Sequence, residues 1–328
     1  MFLQDLHRKK NESLDEWQVR CCLAKENKTT DLDWCEIRDM LGLSITPDQL
    51  RKQSKGILLY DKVLNSDNYT CVSNRILSIS DLHIPFNLPL NTFQNYIGKV
   101  DTLVLNGDIE DAQNVSKYPR KYRVHFTEEM ILTRQYIIDL INMINPKTVV
   151  VVKGNHEHRM GRYLSKQLHD DVFSLMPDSP MDLIVNDGFK YRDRLNKTET
   201  WYSPITEIFE EKGIEISYTG EWWRKIGKVI FAHPLSYSSG MLKTTEKAVE
   251  YFLRIDRDFE AMVLAHTHKV GSYFQGNIEM YEQGCCCDLS KLDYTDGYLT
   301  LPGQNGFIYM SLDKNGSVIK NKTKLINI

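Results

Sequence analysis

The chain has 328 residues, 41% of them apolar, and a formal net charge of −3. That length and apolar share suffice for one large core, alone or beside a small second domain, while the charge excludes a polycation that coats nucleic acid by global attraction. No run of about 18 apolar residues occurs, so no membrane-spanning helix is expected, and residues 1–10 carry no apolar stretch of signal-peptide type.

Helical spacing appears first. Residues 13–24 place Leu14, Trp17, Cys21 and Ala24 on one face. A second helix is predicted from a cap at Asp31 or Asp33 through Met40, with Trp34, Ile37, Met40 and Leu41 as its apolar face and Gly42 as its stop. Thr46 followed by Pro47 predicts a third helix, capped by Thr46 with proline at its first position. That helix carries Leu50, Arg51, Lys52 and Lys55. Two helices around a glycine-containing turn make a helix-turn-helix candidate. The polar stretch 64–74 is expected to be a loop or linker. The chain then divides into a helical module over 1–70 and a larger domain over 71–328.

From Arg75 short apolar runs alternate with helical stretches. The runs are 76–79, 102–105, 148–152, 229–232 and 262–265, and the helical stretches include 128–144 and 242–255. This is the pattern of an α/β domain with buried strands and crossover helices. Two hairpins are predicted near the end, one around Gly276-Asn277 and one around Lys314-Asn315-Gly316 joining 307–312 to 317–319. The long, polar, tyrosine-rich segment 161–223 reads as an insertion over the active face.

Of the nine histidines, six directly follow these apolar runs. The stretches are Asp81-Leu82-His83, Gly107-Asp108, Gly154-Asn155-His156-Glu157-His158, His233, and His266-Thr267-His268. In an α/β sheet, ligands bind outside the carboxyl ends of the strands. Five strand ends therefore bring imidazole, carboxylate and amide groups to one rim. That donor set suits Mn, Fe, Zn or Ni, and the lack of cysteine in it argues against a structural zinc.

In this order the five stretches resemble the motif set of the calcineurin-like metallophosphoesterases: D-x-H, G-D, G-N-H-E, H and H-x-H. The resemblance covers about 76–268 and implies a four-layer αββα sandwich with two central sheets. It implies two divalent metal ions, manganese first, with iron, zinc or nickel also suited. Asp81, His83 and His268 would hold the first ion, Asp108 would bridge both, and Asn155, His233 and His266 would complete the second. Two positions depart from the family pattern: Ala265 and Pro234 stand where glycine is usual. Two cations activate water and clamp the phosphoryl oxygens, so no protein nucleophile is required. By the same resemblance His156 donates a proton to the leaving oxygen or stabilises charge on the phosphoryl group. Asp111 either orients His156 or caps the turn after Ile109. Arg159 and Arg162 either contact phosphate or lie on a solvated helix face.

Other phosphate chemistries lack their motifs. There is no G-x-x-x-x-G-K-[ST] loop, and no cysteine is followed six residues later by arginine. The seven cysteines contain no C-x-x-C pair and read as reduced thiols of a cytoplasmic protein, with 285–287 as small buried side chains near a strand end. The N-terminal module resembles helix-turn-helix units fused ahead of phosphoesterase domains in phage-type proteins. Arg51, Lys52 and Lys55 would then meet nucleic-acid phosphates. The alternative is a helical module used for packing or dimerisation. The expected function is accordingly a metal-dependent phosphodiesterase or nuclease on DNA or RNA. The alternative is a phosphatase or phosphodiesterase on nucleotides or other small esters. A metal-free scaffold has no need of the complete ligand set.

Overall fold

The computed structural model describes residues 6–10, 12–69, 71–117, 124–193, 195–238, 243–292 and 303–328. Internal contacts divide the chain into two compact units, Met1–Cys71 and Val72–Ile328.

The first unit holds α1 (Leu14–Glu26), α2 (Trp34–Leu41) and α3 (Pro47–Tyr69). Each starts on a side-chain cap that satisfies amide protons the helix itself leaves unpaired. Ser13 with Glu16 and Asp33 with Glu36 form reciprocal capping boxes. Thr46 Oγ1 accepts from the Gln49 amide at 3.2 Å while Gln49 Oε1 accepts from the Thr46 amide at 2.9 Å. Gly42, at φ +65°, ends α2 in the left-handed conformation that glycine adopts without steric penalty. Cys21, Cys22, Ile37, Leu41 and Leu50 form the small core between the helices. The expected linker over 64–74 is corrected: α3 continues to Tyr69, because 57–69 contains neither glycine nor proline to stop it.

The second unit is built on two sheets. In chain order its elements are β1 (Asn74–Ile79), β2 (Thr102–Asn106), α4 (Phe126–Ile144), β3 (Thr148–Val152), α5 (His158–Gln167), α6 (Asp170–Phe173), β4 (Phe189–Arg192), β5 (Glu199–Tyr202), α7 (Ile205–Glu210), β6 (Glu215–Tyr218), β7 (Trp223–Ile226), β8 (Val229–Ala232), α8 (Lys243–Ile255), β9 (Ala261–Leu264), β10 (Val270–Gln275), β11 (Ile278–Gln283), β12 (Gly306–Leu312) and β13 (Lys324–Asn327). One sheet has the order β13-β12-β1-β2-β3-β6 and the other β10-β11-β9-β8-β7. Strands β1, β2, β3 and β6 run parallel, as do β8, β9 and β11.

The two-residue period of the strands sorts their side chains into layers. Ile76, Val104, Val150 and Val152 of the first sheet meet Val229, Phe231, Ala261 and Val263 of the second. The alternate residues Leu77, Leu103, Leu105, Val149 and Val151 turn outward to Ile137, Leu140 and Ile141 of α4 and Phe209 of α7. On the far side Ile230, Met262 and Leu264 meet Val249 and Phe252 of α8. Helix, sheet, sheet and helix thus form the four-layer αββα sandwich. Continuous apolar runs are what strands buried on both faces require. The polar Ser78 is tolerated between the sheets because its hydroxyl donates to Gln283 Oε1 at 2.8 Å.

Two more expectations need correction. The segment 161–223 is not an insertion throughout. Its β6 pairs with β3 and closes the edge of the first sheet. Ile205, Phe209, Met181, Ile184 and Val185 of the same segment are fully buried. Its many polar residues sit on the outward faces of short elements, which hid the buried positions from a reading by composition. At the C-terminus the chain does turn back at 314–316, with the Asp313 amide donating to the Ser317 carbonyl and the Ile319 amide to the Ser311 carbonyl, but 317–319 adds only an isolated bridge at Val318 and no strand, and β12 pairs with β1 and β13 instead. The predicted helix over 242–255 is α8 from Lys243, and Leu242 lies outside the described residues. Among the described residues no helix is long and apolar enough to cross a membrane.

Candidate metal centre

Every proposed metal ligand, and His156 with them, follows the carboxyl end of a parallel strand: Asp81 and His83 after β1, Asp108 after β2, Asn155 and His156 after β3, His233 after β8, and His266 and His268 after β9. The two sheets deliver these ends to one place. Asp81, His83 and His268 place one ligand atom each within 4.8 Å of one another, and so do Asp108, His233 and His266. A third grouping, His83, Asp108 and His156, is equally tight.

The backbone is shaped for this convergence. Asp81, His83, Asp108, His266 and His268 all have φ between +46° and +75°. Non-glycine residues occupy this left-handed region rarely and at some cost. Gly154 is required by close approach, since a Cβ there would stand 2.2 Å from the Asp108 amide nitrogen.

Buried carboxylates brace the loop that carries Asp108. Glu157 accepts the amide protons of Gly154 (2.7 Å), Asp108 (3.0 Å) and Ile109 (2.7 Å). Glu129 of α4 accepts those of Ala112 and Gln113. The sequence reading missed both roles. Glu157 lies inside the G-N-H-E stretch, so the motif marked its position, but its task is visible only from the amides around it.

Polar atoms in the cluster are mostly acceptors facing acceptors. His233 donates from Nδ1 to the Asn106 carbonyl at 2.8 Å. Its Nε2 faces Asp108 Oδ1 and Asn155 Oδ1, each at 3.3 Å, and Asp81 Oδ1 at 4.0 Å. His268 Nε2 lies 3.1 Å from Asp81 Oδ1 and 3.3 Å from His83 Nε2. His266 Nε2 is buried with no protein partner among the described residues, and the His266 amide donates to Asp81 Oδ2 at 3.2 Å. Converging lone pairs of oxygen and imidazole nitrogen are satisfied by a cation at their centre.

The electrostatics agree. Burial pushes the His233 pKa down, but the Asp108 and Asp81 carboxylates outweigh it and raise it to about 10. His268 is raised to about 9 against burial, chiefly by Asp81. Burial opposes ionisation of Asp81, yet His268 and His233 draw it down to about 2. The pocket therefore demands positive charge, and divalent cations meet that demand while leaving the imidazoles neutral as ligands. The residues present fit such ions.

His156 stands differently. Its Nδ1 is 3.1 Å from Asp111 Oδ1, and Arg159 Nη2 lies 2.6 Å from its Nε2. An arginine can only donate, so Nε2 is the acceptor and the ring proton sits on Nδ1, toward Asp111. Burial holds the His156 pKa down at about 4, with His83 and Arg159 adding to the effect and Asp108 opposing it. Asp111 does not cap the following turn, which starts after Ala112 without a side-chain cap. Its carboxylate goes to His156 and His83 instead. Arg159 is not on a solvated face either: its side chain is 14% exposed, and Nη1 donates to the Asp111 carbonyl at 2.6 Å. Arg162 is exposed.

The remaining candidates, Arg51, Lys52 and Lys55, lie on the exposed side of α3 in the first unit. Arg51 and Lys52 each pair with Asp48 at 3.1 Å. None of the seven cysteines forms a disulfide, and Cys285, Cys286 and Cys287 are buried.

Comparison with solved structures found vacuolar protein sorting 29 of Cryptosporidium parvum, at 15% identity over 79% of this chain and 99% of that one, with a TM-score of 0.37. It also found zinc-bound wild-type Vps29 of Entamoeba histolytica, at 14% identity over 77% and 98%, with a TM-score of 0.35. A third is the phosphoesterase Yfce of E. coli, at 13% identity over 77% and 99%, with a TM-score of 0.32. Comparison with curated protein sequences found no match. The family model described as calcineurin-like phosphoesterase matches residues 74–270, a span that holds both sheets' metal-facing strand ends and every candidate residue of the cluster. The chain belongs to the calcineurin-like phosphoesterase family and is a metal-dependent hydrolase of phosphate esters.

Proposed function

We propose that the chain is a phosphodiesterase that binds two divalent metal ions, manganese first, and cleaves DNA or RNA. The observation that carries the two-ion reading is Asp108, whose carboxylate stands between two acceptor clusters. Its Oδ1 is 3.3 Å from His233 Nε2, and it belongs to one tight group with His233 and His266 and another with His83 and His156. Asp81, His83 and His268 would hold one ion and Asn155, His233 and His266 the other, with Asp108 placed to serve either. When bound, the ions supply Lewis acidity at the phosphoryl oxygens and lower the pKa of the attacking water.

The chain's own residues do the rest. Asn106 and Asp111 fix the tautomers of His233 and His156 through their Nδ1 protons. To act as the acid His156 takes up a second proton from solvent at Nε2, the imidazolium being stabilised by Asp111 at Nδ1, and passes it to the leaving oxygen, which occupies the place at that atom now held by Arg159. Arg159, still anchored on the Asp111 carbonyl, is then free to donate to a phosphoryl oxygen. The bidentate fork of arginine suits that task.

The nucleic-acid part of the reading is supported by the exposed Arg51, Lys52 and Lys55 on the second helix of the helix-turn-helix pair. A hydrolase of nucleotides or other small esters, with the helical unit used for assembly, is the second reading. It is favoured by Asp48, which pairs with both Arg51 and Lys52 and lowers the net charge of that face. A panel with Mn²⁺ decides between them: a chromogenic diester, a monoester, cyclic nucleotides, and single- and double-stranded DNA and RNA. Cleavage of polynucleotides supports the first reading. Turnover of small esters alone replaces it with the second.

A further inference from the structure

Three aromatic rings lead from the metal cluster to its open side. The rings of His233 and His266 meet edge to face with centroids 5.3 Å apart and planes at 63°. The ring of Tyr237 lies on that of His266 in the same way, at 5.4 Å and 65°. His233 is fully buried, whereas Tyr237 is 57% exposed. The last ring of the series is thus a large apolar surface left open to solvent beside a metal-ligand cluster.

Its position is built from both sides. Four residues earlier the chain is fixed at His233, whose Nδ1 is tied to Asn106. One residue later the Ser238 amide donates to Thr244 Oγ1 at 2.9 Å, and Lys247 Nζ donates to Ser238 Oγ at 2.9 Å. Both partners belong to α8, whose Val249 and Phe252 are locked into the core on the second sheet. Tyr237 is therefore presented by a fastened segment, and little ordering remains to be done when a ligand meets it.

Aromatic side chains recognise planar groups by stacking, and tyrosine does so with a wettable edge. A ring set against a metal ligand reaches the substituent next to the phosphate, not the phosphate itself. We propose that Tyr237 is a substrate-contact residue on which a nucleobase stacks, so that the site prefers nucleotide esters over phosphate esters lacking a planar ring. This rests on the phosphoesterase reading of the same site and narrows its substrate class under either polynucleotide or small-ester hydrolysis.

The test is a binding ratio. Dissociation constants of AMP and ribose 5-phosphate, which differ by the base alone, are measured calorimetrically on Mn²⁺-loaded wild type, Tyr237→Phe and Tyr237→Ala. Base stacking on an aromatic platform is worth about 5- to 150-fold in affinity. The wild-type preference for AMP should fall by that order in Tyr237→Ala and persist in Tyr237→Phe. An unchanged ratio in Tyr237→Ala overturns the inference. Equal weakening of both ligands also overturns it, because Tyr237 would then be a prop for His266. Turnover of a dinucleotide and of glycerophosphoethanolamine by wild type is measured in parallel. If neither ester is cleaved, the phosphodiesterase reading fails, and the binding ratio still decides the role of Tyr237.

Discussion

Asn106 and His233 are joined by a 2.8 Å hydrogen bond from the ring Nδ1 to the backbone carbonyl. The carbonyl belongs to the last residue of β2 in one sheet, and the imidazole follows β8 in the other. With its proton held there, the ring keeps one tautomer and one orientation, and Nε2 points at Asp108 and Asn155. A backbone group of the first sheet thus positions a proposed ligand from the second, so the cluster exists only when both sheets are packed.

Asp108→Ala removes the carboxylate on which both acceptor clusters converge. The variant should lose most of its bound metal and nearly all turnover of a phosphodiester. Elemental analysis of protein purified without chelator and a steady-state assay measure the two effects. Near-normal rates would rule out a binuclear site built on Asp108.

His156→Ala should separate metal binding from catalysis. Its Nδ1 and Nε2 are held by Asp111 and Arg159, so removing the ring leaves the proposed ligands in place. Metal content should stay near that of wild type while kcat falls by about 10²- to 10⁴-fold, the usual worth of a general acid. Loss of metal from this variant would make His156 a ligand, in line with its tight grouping with His83 and Asp108.

Asp101, at the opposite end of β2 from Asp108, makes the fold sensitive to acid. Its carboxylate accepts from the Arg75 backbone amide (3.1 Å), Arg75 Nε (2.7 Å) and Lys147 Nζ (2.9 Å). The Arg75 hydrogen bond is the largest influence and holds the Asp101 pKa well below the ordinary carboxylate range. A depressed folded pKa contributes stability above the unfolded value of about 3.9 and loses it as pH falls through the folded one. Asp101→Asn should cost about 1–2 kcal/mol at pH 7, since Arg75 and Lys147 are solvent-screened. Its stability should also decline less steeply than that of wild type below about pH 4. Urea unfolding at pH 7 and pH 3 measures both, and parallel pH dependences would refute the assignment.

Arg51, Lys52 and Lys55 are tested by salt. On duplex DNA the slope of log K against log salt is about −0.9 for each phosphate neutralised, so three contacts contribute about −3. Replacing all three residues by alanine should flatten the slope by that amount and raise KM for a polynucleotide. Asp48→Asn should act in the opposite sense, because Asp48 competes with phosphate for Arg51 and Lys52. If the triple variant binds and cuts DNA and RNA as wild type does, assembly becomes the role of the helical unit.

Strand-end chemistry was legible in the sequence by itself. Asp81, His83, Asp108, Asn155, His233, His266 and His268 each follow an apolar run too short for a helix, and the carboxyl ends of parallel strands face one way. Two helix starts were equally legible, because Asp33 and Thr46 act on amides three residues away. What only the tertiary structure decided depends on residues distant in the chain. The polar 161–223 conceals β6, whose place is set by pairing with β3. Asp111 turns to His156 rather than to its own turn, because the connection from β3 to α5 brings the ring within 3.1 Å. Arg159 reaches both of them, and Glu129 ties down the loop that carries Asp111. Tyr237 becomes a surface beside the candidate metal centre only because β8 and β9 lie side by side and set its ring on that of His266. Local rules place a residue at the end of an element. The packing of two sheets decides which residues share that end.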